Sequence, residues 1–425
     1  MYWVRLTNHL EKMEEKRHCS ELNAEQQQVM NALWSGSNQF FTGPAGTGKS
    51  FVIKYMVDEL TEQKKQFAIT SSTSSSAANI GGVTVHSWAG IGLGDAPVEE
   101  LIRKIRVIPV LRQRWRTIEF WIMDEISILD KDIFTKLDKI GRAVRGKPHT
   151  PFGGIKMVIC GDYFQLPPIS EEYAFESPSW AETVNHTIIL KEIHRQTESI
   201  LIDGLNEMRM GRVSEAFIQA VTKDKDEFYK LGNGVLPSRL LSKNRDVDEI
   251  NEQELARLTS EKFTFKTKSP QSLDKLFTVP SEITLAVGAQ VILVKKADGY
   301  VNGTRGVITE IQGYGTTNPR IWVKGKDGKS HLVVQKLFEA REQGKVVATR
   351  LAFPIRLAWC ISIHRSQGQS IDYLDVNLQG VFSPAQSYVA VSRATCLSGL
   401  RVTGLCSKVV YCDPKVVAFY ASLEQ

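Results

Sequence analysis

The run GPAGTGKS, from Gly43 to Ser50, satisfies the phosphate-loop pattern G-x-x-x-x-G-K-[S/T] at every specified position. The pattern demands a buried strand before it and a helix after it. The apolar Gln39-Phe40-Phe41 reads as that strand and Phe51 to Val57 as that helix. Gly43, Gly46 and Gly48 let backbone N–H groups close around phosphate oxygens, and Pro44, Ala45 and Thr47 complete the loop. Lys49 neutralises the β and γ charges, and Ser50 offers its hydroxyl to Mg²⁺. Such a chain binds a nucleoside triphosphate within an α/β fold. The loop alone leaves kinases, GTPases, transporters and helicases open.

Two further strand ends carry chemistry. Trp121-Ile122-Met123-Asp124-Glu125 is an apolar strand closing on two carboxylates, placed where α/β sheets put their ligands. Asp124 would hold Mg²⁺, and Glu125 would orient and deprotonate the attacking water. A helix N-cap is the plain alternative for Asp124. The strand Lys156 to Cys160 runs into Gly161-Asp162-Tyr163-Phe164-Gln165-Leu166-Pro167-Pro168. There Gln165 is placed to sense the γ-phosphate, and Tyr163 or Phe164 to stack on a base. A Pro-Pro turn with core aromatics is the competing reading.

Composition narrows the class. A chain of 425 residues allows two to four domains at roughly 100–200 residues each. No apolar run approaches the roughly 18 residues a membrane-spanning helix needs. The opening MYWVRLTNHLEKMEEKRH mixes Glu with Lys and Arg, unlike a secretory or transit signal. The six cysteines are scattered without a C-x-x-C pair or a neighbouring His at metal spacing, so reduced thiols in a cytosol-like compartment are expected. The net charge of +6 is too small to prove a polyanionic partner. Its distribution says more: Arg103, Lys104, Arg106, Arg112, Arg114 and Arg116 form one basic segment, and Lys136, Lys139, Arg142, Arg145 and Lys147 another. Each reads equally as a solvated helix face or as a DNA track.

LNAEQQ (Leu22 to Gln27), GPAGTGKS, SSTSSSAANIGGVTVHSWAGIGLG (Ser71 to Gly94), MDEIS (Met123 to Ser127) and GDYFQLPPI (Gly161 to Ile169) occur in that order. The series resembles Pif-type DNA helicases, 5′-to-3′ motors related to RecD. It continues through LKEIHRQ (Leu190 to Gln196), NGTRG (Asn302 to Gly306), LAWCISIHRSQGQS (Leu357 to Ser370) and SYVAVSRA (Ser387 to Ala394). Leu137 to Ile155, with PFGG at Pro151 to Gly154, resembles the helical signature that separates these enzymes from RecD. The resemblance implies that this signature braces the channel for single-stranded DNA.

By the same resemblance, Gln26 reads the adenine edge, and Arg195 and Arg393 are presented to the γ-phosphate by the second motor domain. Thr73, His86 and Trp88 match strand contacts of the first domain, and His364, Arg365, Ser366 and Gln367 those of the second. Phe164 is added to the strand-stacking set. Ser74 stands where the family has Gly, and Asn244 and Asn251 match family positions in the second domain.

The expected architecture is α/β, with two RecA-like P-loop domains, a small wedge insertion and a small SH3-like all-β insertion. A lead of residues 1–21 precedes the first domain (22–186, wedge at about 89–116). The second domain follows (187–425, insertion at about 262–346). The expected activity is ATP-dependent 5′-to-3′ unwinding with ATP and Mg²⁺, on single strands and single/double-strand junctions, G-quadruplexes and RNA–DNA hybrids included. Roles in repair, recombination and telomere maintenance follow from the family. The chain is expected to act as a monomer, with a DNA-induced dimer as the alternative, and without a membrane. A cytoplasmic bacterial or viral setting is favoured, with nucleus or mitochondrion for a eukaryotic source. The rival readings are a single-strand-stimulated translocase subunit of a RecD-like complex and a nucleotide-regulated DNA-binding or annealing module.

Overall fold

The computed structural model describes residues 22–423 except 74–75, 78–79, 231–234, 243, 270–276, 278, 295–304, 326–327 and 343–344. The expected lead, Ser74 and the NGT of NGTRG lie outside the described residues.

Six strands build the first sheet: β1 (Gln39–Thr42), β2 (Phe67–Ser71), β3 (Val83–Thr84), β4 (Phe120–Asp124), β5 (Lys156–Cys160) and β6 (His186–Ile189). They lie in the order β3-β2-β4-β5-β1-β6, and every pairing is parallel. A parallel sheet is covered on both faces, so its strands are apolar throughout and alternate residues feed two cores. Phe40, Trp121, Met123, Met157 and Ile159 enter one core. Phe41, Phe120, Ile122, Val158 and Cys160 enter the other, with Val52, Ile53 and Met56 of the helix Lys49–Glu62.

The basic segment expected as a wedge is helical. Val98–Val107 and Pro109–Thr117 are two short helices that drop Leu101, Ile105, Leu111 and Trp115 into the core of Trp121. Apolar Val98, Leu101, Ile102 and Ile105 recur at helical spacing. Glu99 and Glu100 occupy the first turn and Lys104 and Arg106 the last, matching the helix dipole.

The second sheet is smaller and also parallel. Its strands β7 (Ser238–Leu241), β17 (Cys360–Ser362), β18 (Leu374–Asn377) and β19 (Leu400–Thr403) lie in the order β17-β7-β18-β19. Between β7 and β17 stands an all-β insertion. It holds two antiparallel hairpins, β8 (Lys262–Lys266) with β9 (Glu282–Ala286) and β14 (Lys336–Glu342) with β15 (Lys345–Ala352). Its five-stranded sheet joins β10 (Gln290–Leu293), β11 (Arg305–Gln312), β12 (Arg320–Gly325), β13 (Ser330–Val334) and β16 (Ile355–Leu357), around Val291, Ile308, Ile321, Val323 and Ile355.

Three boundaries move. The first domain runs through β6 to Ile189, because that strand pairs with β1. The insertion ends at Leu357 rather than near 346, because β16 returns to close the sheet against β10. The C-terminal helix Pro414–Leu423 packs into the first domain, where Val416 and Tyr420 sit in the core beside Phe40, Tyr163 and Trp180, while the Arg209 guanidinium of the second domain lies 5.2 Å from the Tyr420 ring. The chain ends by strapping its two halves together.

Candidate nucleotide and strand site

The phosphate loop follows β1 and opens the helix Lys49–Glu62. Gly46 and Gly48 have φ of 91° and 82°, backbone that disfavours a side chain. A Cβ on Gly46 would lie 2.8 Å from Arg195 Cβ, and one on Gly48 would lie 2.7 Å from Gln26 Nε2. These glycines keep open a cradle roofed by Gln26 on one side and by the chain Ile193 to Gln196 on the other. Lys49 Nζ donates to the carbonyls of Gly43 (2.7 Å) and Pro44 (3.0 Å), and Thr47 Oγ1 to Pro44 O (3.0 Å). Ser50 is exposed at the first helical turn. Gln26 is positioned by a capping box: its N–H donates to Asn23 Oδ1 at 2.8 Å and its Oε1 accepts from Asn23 N–H at 3.2 Å. Its amide nitrogen is thereby left facing the loop.

Asp124 ends β4 and Glu125 turns away with φ 53° and ψ 46°. The buried Asp124 carboxyl is pushed up to about 7, first by burial and then by the charge of Glu125. Among the described residues no cluster of three or more His, Cys, Asp or Glu could cage a metal. Magnesium asks for less: it keeps waters and phosphate oxygens and takes one or two carboxylates. Asp124 with the exposed Ser50 hydroxyl is an oxygen donor set of that kind, and extra positive charge beside a carboxyl so easily protonated would keep it ionised.

The second domain reaches this cradle directly. Arg195 Nη1 donates to Ser392 O (3.1 Å), and His194 N–H donates to Gly46 O (2.8 Å). Arg393 is 1% exposed, with Nε donating to Val389 O (2.9 Å) and Nη2 to Ser392 Oγ (2.8 Å). Burial first, and then the neighbouring Arg195, bring its guanidinium down to about 10. Arg195 is lowered by burial too. Two cations packed into one cleft make a seat for an anion.

Residues outside the expected set complete the cleft. The Ala45 N–H donates to Tyr388 Oη (2.9 Å), and Gln196 Nε2 donates to Ala394 O (2.8 Å). Tyr388 and Gln196 lie within the quoted runs SYVAVSRA and LKEIHRQ, where their polar ends were the available signal. Gln165, expected to sense the γ-phosphate, is buried in the loop after β5, its N–H bonded to Asp162 O (2.9 Å). Asp162 is paired with Arg209, and Tyr420 Oη donates to Asp162 Oδ1 (3.3 Å). Neither Arg209 nor Tyr420 stands in a recognisable motif.

The expected strand contacts divide. Thr73 stays partly open, its hydroxyl donating to Ser76 Oγ (3.0 Å), and His86 is half-buried. His364 is exposed, and Arg365 is partly exposed with Nη1 on Asp248 Oδ1 (3.3 Å). Asn251 supports β17, exchanging hydrogen bonds with Cys360. Four others are not presented to a strand. Trp88 is 8% exposed, its ring 4.0 Å from that of Trp121 and 5.1 Å from that of Trp115. Phe164 is 2% exposed, stacked on Tyr420 at 4.7 Å beneath the Arg209 guanidinium. A large apolar ring beside an aromatic core gains more from burial than from solvent, and both are drawn in. Ser366 is buried with its hydroxyl on Ile363 O (2.7 Å). Gln367, also buried, donates from Nε2 to Glu125 Oε2 at 2.9 Å.

The two basic segments meet at the C-terminal end of the helix Lys131–Arg145. Arg106 Nη2 donates to Ala143 O (2.6 Å), Arg116 Nε to Val144 O (3.2 Å), and Arg145 Nη1 to Trp115 O (2.8 Å). Helix C-terminal carbonyls attract cations, so part of this charge is spent on architecture. The PFGG turn packs on the same helix: Asp138 Oδ1 accepts from Phe152 N–H (2.6 Å), and a Cβ on Gly141 would meet Phe152 O at 2.7 Å.

The family model for PIF1-like helicases matches residues 21–223. A protein of Danio rerio named ATP-dependent DNA helicase PIF1 is 38% identical over 420 residues, covering 96% of this chain and 65% of the relative. The crystal structure of Pif1 helicase from Candida albicans superposes with a TM-score of 0.80 at 34% identity, covering 95% of this chain and 99% of that one. Bacteroides Pif1 in complex with ADP-AlF4 gives 0.79 at 26% identity, and bound to single-stranded DNA 0.69 at 26%, each covering 95% of this chain and 97% of that one. The chain spans about 65% of the length of the curated relatives it matches first. With a fish protein among the relatives, the lean toward a bacterial or viral source finds no support. No helix among the described residues is long and apolar enough to cross a membrane.

Proposed function

The chain belongs to the PIF1-like helicase family, and from that premise we propose that it is an ATP-driven motor that moves 5′-to-3′ on single-stranded DNA and unwinds duplex or structured DNA ahead of it. The observation that carries this reading is the placement of the phosphate loop between two parallel sheets, with Arg195, Arg393 and Tyr388 delivered from the second-domain side. A cleft so built turns over only when both halves close on it.

On this reading the triphosphate lies in the Gly43–Ser50 cradle with its base near Gln26. Lys49 leaves its two carbonyls for the β and γ oxygens, and the paired arginines take up charge that grows on the γ group. Mg²⁺, held by Ser50 and Asp124, would add shielding of the same charges. Glu125 accepts the proton of the attacking water, and Gln165 orients that water beside it. Hydrolysis removes the anion that holds Arg195 and Arg393 in place, and the cleft opens. Thr73 and His86 on one domain and His364 and Arg365 on the other then change spacing along the strand, which moves the chain by alternating grip. Backbone contacts of this kind carry no sequence preference. The helices Val98–Val107 and Pro109–Thr117 would serve as the wedge at the junction. The PFGG turn braces the channel from beneath, and one copy suffices for the cycle.

The test is ATP hydrolysis with and without single-stranded DNA, beside unwinding of duplexes carrying a 5′ or a 3′ tail. Stimulated hydrolysis with unwinding from the 5′ tail alone is expected. Stimulation without unwinding would reduce the chain to a translocase, and hydrolysis indifferent to DNA would overturn the motor reading.

A further inference from the structure

We propose that Gln367 is a positioning residue that restrains Glu125 until a strand engages the second domain, so that hydrolysis waits for DNA. The inference rests on the motor reading and adds to it the path by which strand occupancy reaches the chemistry.

Four observations carry it. Gln367 Nε2 donates to Glu125 Oε2 at 2.9 Å, joining the turn after β17 to the turn after β4. Gln367 is 2% exposed, so its amide is committed to this bond, and its Oε1 has no hydrogen-bond partner among the described residues. Glu125 stands at φ 53°, a left-handed conformation that a residue with a side chain adopts only when its surroundings impose it. The imposing groups belong to the strand motifs of both domains: Ser72 Oγ donates to Glu125 O (2.7 Å) from the run that holds Thr73, and Gln367 takes the carboxylate.

Gln367 follows directly on the single helical turn Ile363–Ser366, which presents His364 and Arg365 to solvent. Its N–H caps that turn on His364 O (3.4 Å), and Ser362 Oγ accepts from Arg365 N–H at the other end (3.4 Å). A turn pinned at both ends moves as a unit, so a phosphate drawn to Arg365 displaces the Gln367 amide with it. While the amide is bonded, its hydrogen bond stabilises the carboxylate as an anion, weakens it as a base and fixes the direction it faces. Once the amide is displaced, the carboxylate is free to turn to the attacking water and take its proton. No bond is made or broken beyond this exchange of hydrogen-bond partners.

The experiment compares wild type, Gln367→Ala, Gln367→Met and Ser72→Ala in the full chain. ATP turnover is read with and without single-stranded DNA, together with strand affinity and thermal midpoint. Gln367→Ala should raise strand-free turnover on the order of tenfold, as loss of a hydrogen bond to a charged group permits, and shrink the stimulation ratio by a similar factor. Strand affinity should stay within about threefold, since the buried amide makes no contact there. Gln367→Met, similar in length but with no donor, should behave like Gln367→Ala, and Ser72→Ala should shift the ratio the same way by less. Full stimulation retained in Gln367→Ala or Gln367→Met overturns the inference, as does a loss of strand affinity matching the loss of stimulation. Should the Gln367 variants fail to fold, Ser72→Ala decides alone, and an unchanged ratio there overturns it. Wild-type hydrolysis that ignores DNA sinks the motor reading itself, an outcome distinct from the others.

Discussion

Arg209 and Asp162 form a two-point ion pair across the domain boundary, Nη2 to Oδ1 at 2.8 Å and Nε to Oδ2 at 3.2 Å. Asp162 comes from the loop after β5 that also carries Gln165, and Arg209 ends the second-domain helix Ser199–Arg209. Tyr420 of the C-terminal helix completes the joint, within hydrogen-bond reach of Thr42, the Tyr163 N–H and Asp162. Removing one partner of a buried pair strands the other charge, so Arg209→Ala should cost about 3–5 kcal/mol of stability. Denaturant unfolding checks this, and a loss below about 1 kcal/mol, typical of a surface pair, would contradict it.

The same joint sets an acid limit. Burial alone would raise the Asp162 carboxyl, but Arg209, with smaller help from Lys49 and the Phe164 N–H, holds it below its ordinary value. A carboxyl depressed in the folded state contributes stability above its unfolded value of about 3.9 and loses it as pH falls through the lower folded value. The thermal midpoint of the wild type should therefore drop more steeply below about pH 4 than that of Asp162→Asn, which has nothing to protonate there. Parallel acid limbs would exclude Asp162 as a contributor.

Trp88 makes a separate test of core against strand path. Its ring packs against those of Trp115 and Trp121, which also touch each other, in the first-domain core. Trp88→Ala should cost about 3–5 kcal/mol through the lost transfer energy and the cavity left behind. Trp88→Phe should keep most of both stability and strand affinity. Strand affinity lost in Trp88→Phe at unchanged stability would return the residue to the strand path.

Much of this was legible in the sequence because the nucleotide chemistry sits at strand ends. Phe40-Phe41, Ile122-Met123 and Ile159-Cys160 announce buried parallel strands, and the polar residues that follow each must face the sheet's C-terminal edge. The distinction between a strand-stacking ring and a core ring was not legible. Phe164 and Trp88 have the same composition-level signature in either role, and only the arrival of Tyr420 and Arg209 from far along the chain buries Phe164. Gln367 was hidden for a related reason: its neighbours His364 and Arg365 face outward, and the turn sends the next side chain inward to Glu125. The return of the C-terminal helix had no local signal, since Val416, Phe419 and Tyr420 would suit the apolar face of any terminal helix.

The phosphate seat itself is tested by separating charge from geometry. Arg393 is buried beside Arg195, with two of its nitrogens on Val389 O and Ser392 Oγ. Two neighbouring cations oppose each other until an anion arrives, so nucleotide binding should raise the thermal midpoint of the wild type more than that of Arg393→Ala. Arg393→Ala should lower turnover by about 10³-fold or more, in keeping with an arginine that stabilises charge on the transferring group. Arg393→Lys keeps the charge but loses the planar fork, and should recover nucleotide stabilisation better than it recovers turnover. Lys49→Ala should abolish turnover together with tight nucleotide binding, whereas Glu125→Gln should bind nucleotide and fail to hydrolyse it. If Arg393→Ala instead lost strand affinity while keeping turnover, the residue would belong to the strand path and the two-arginine seat would be wrong.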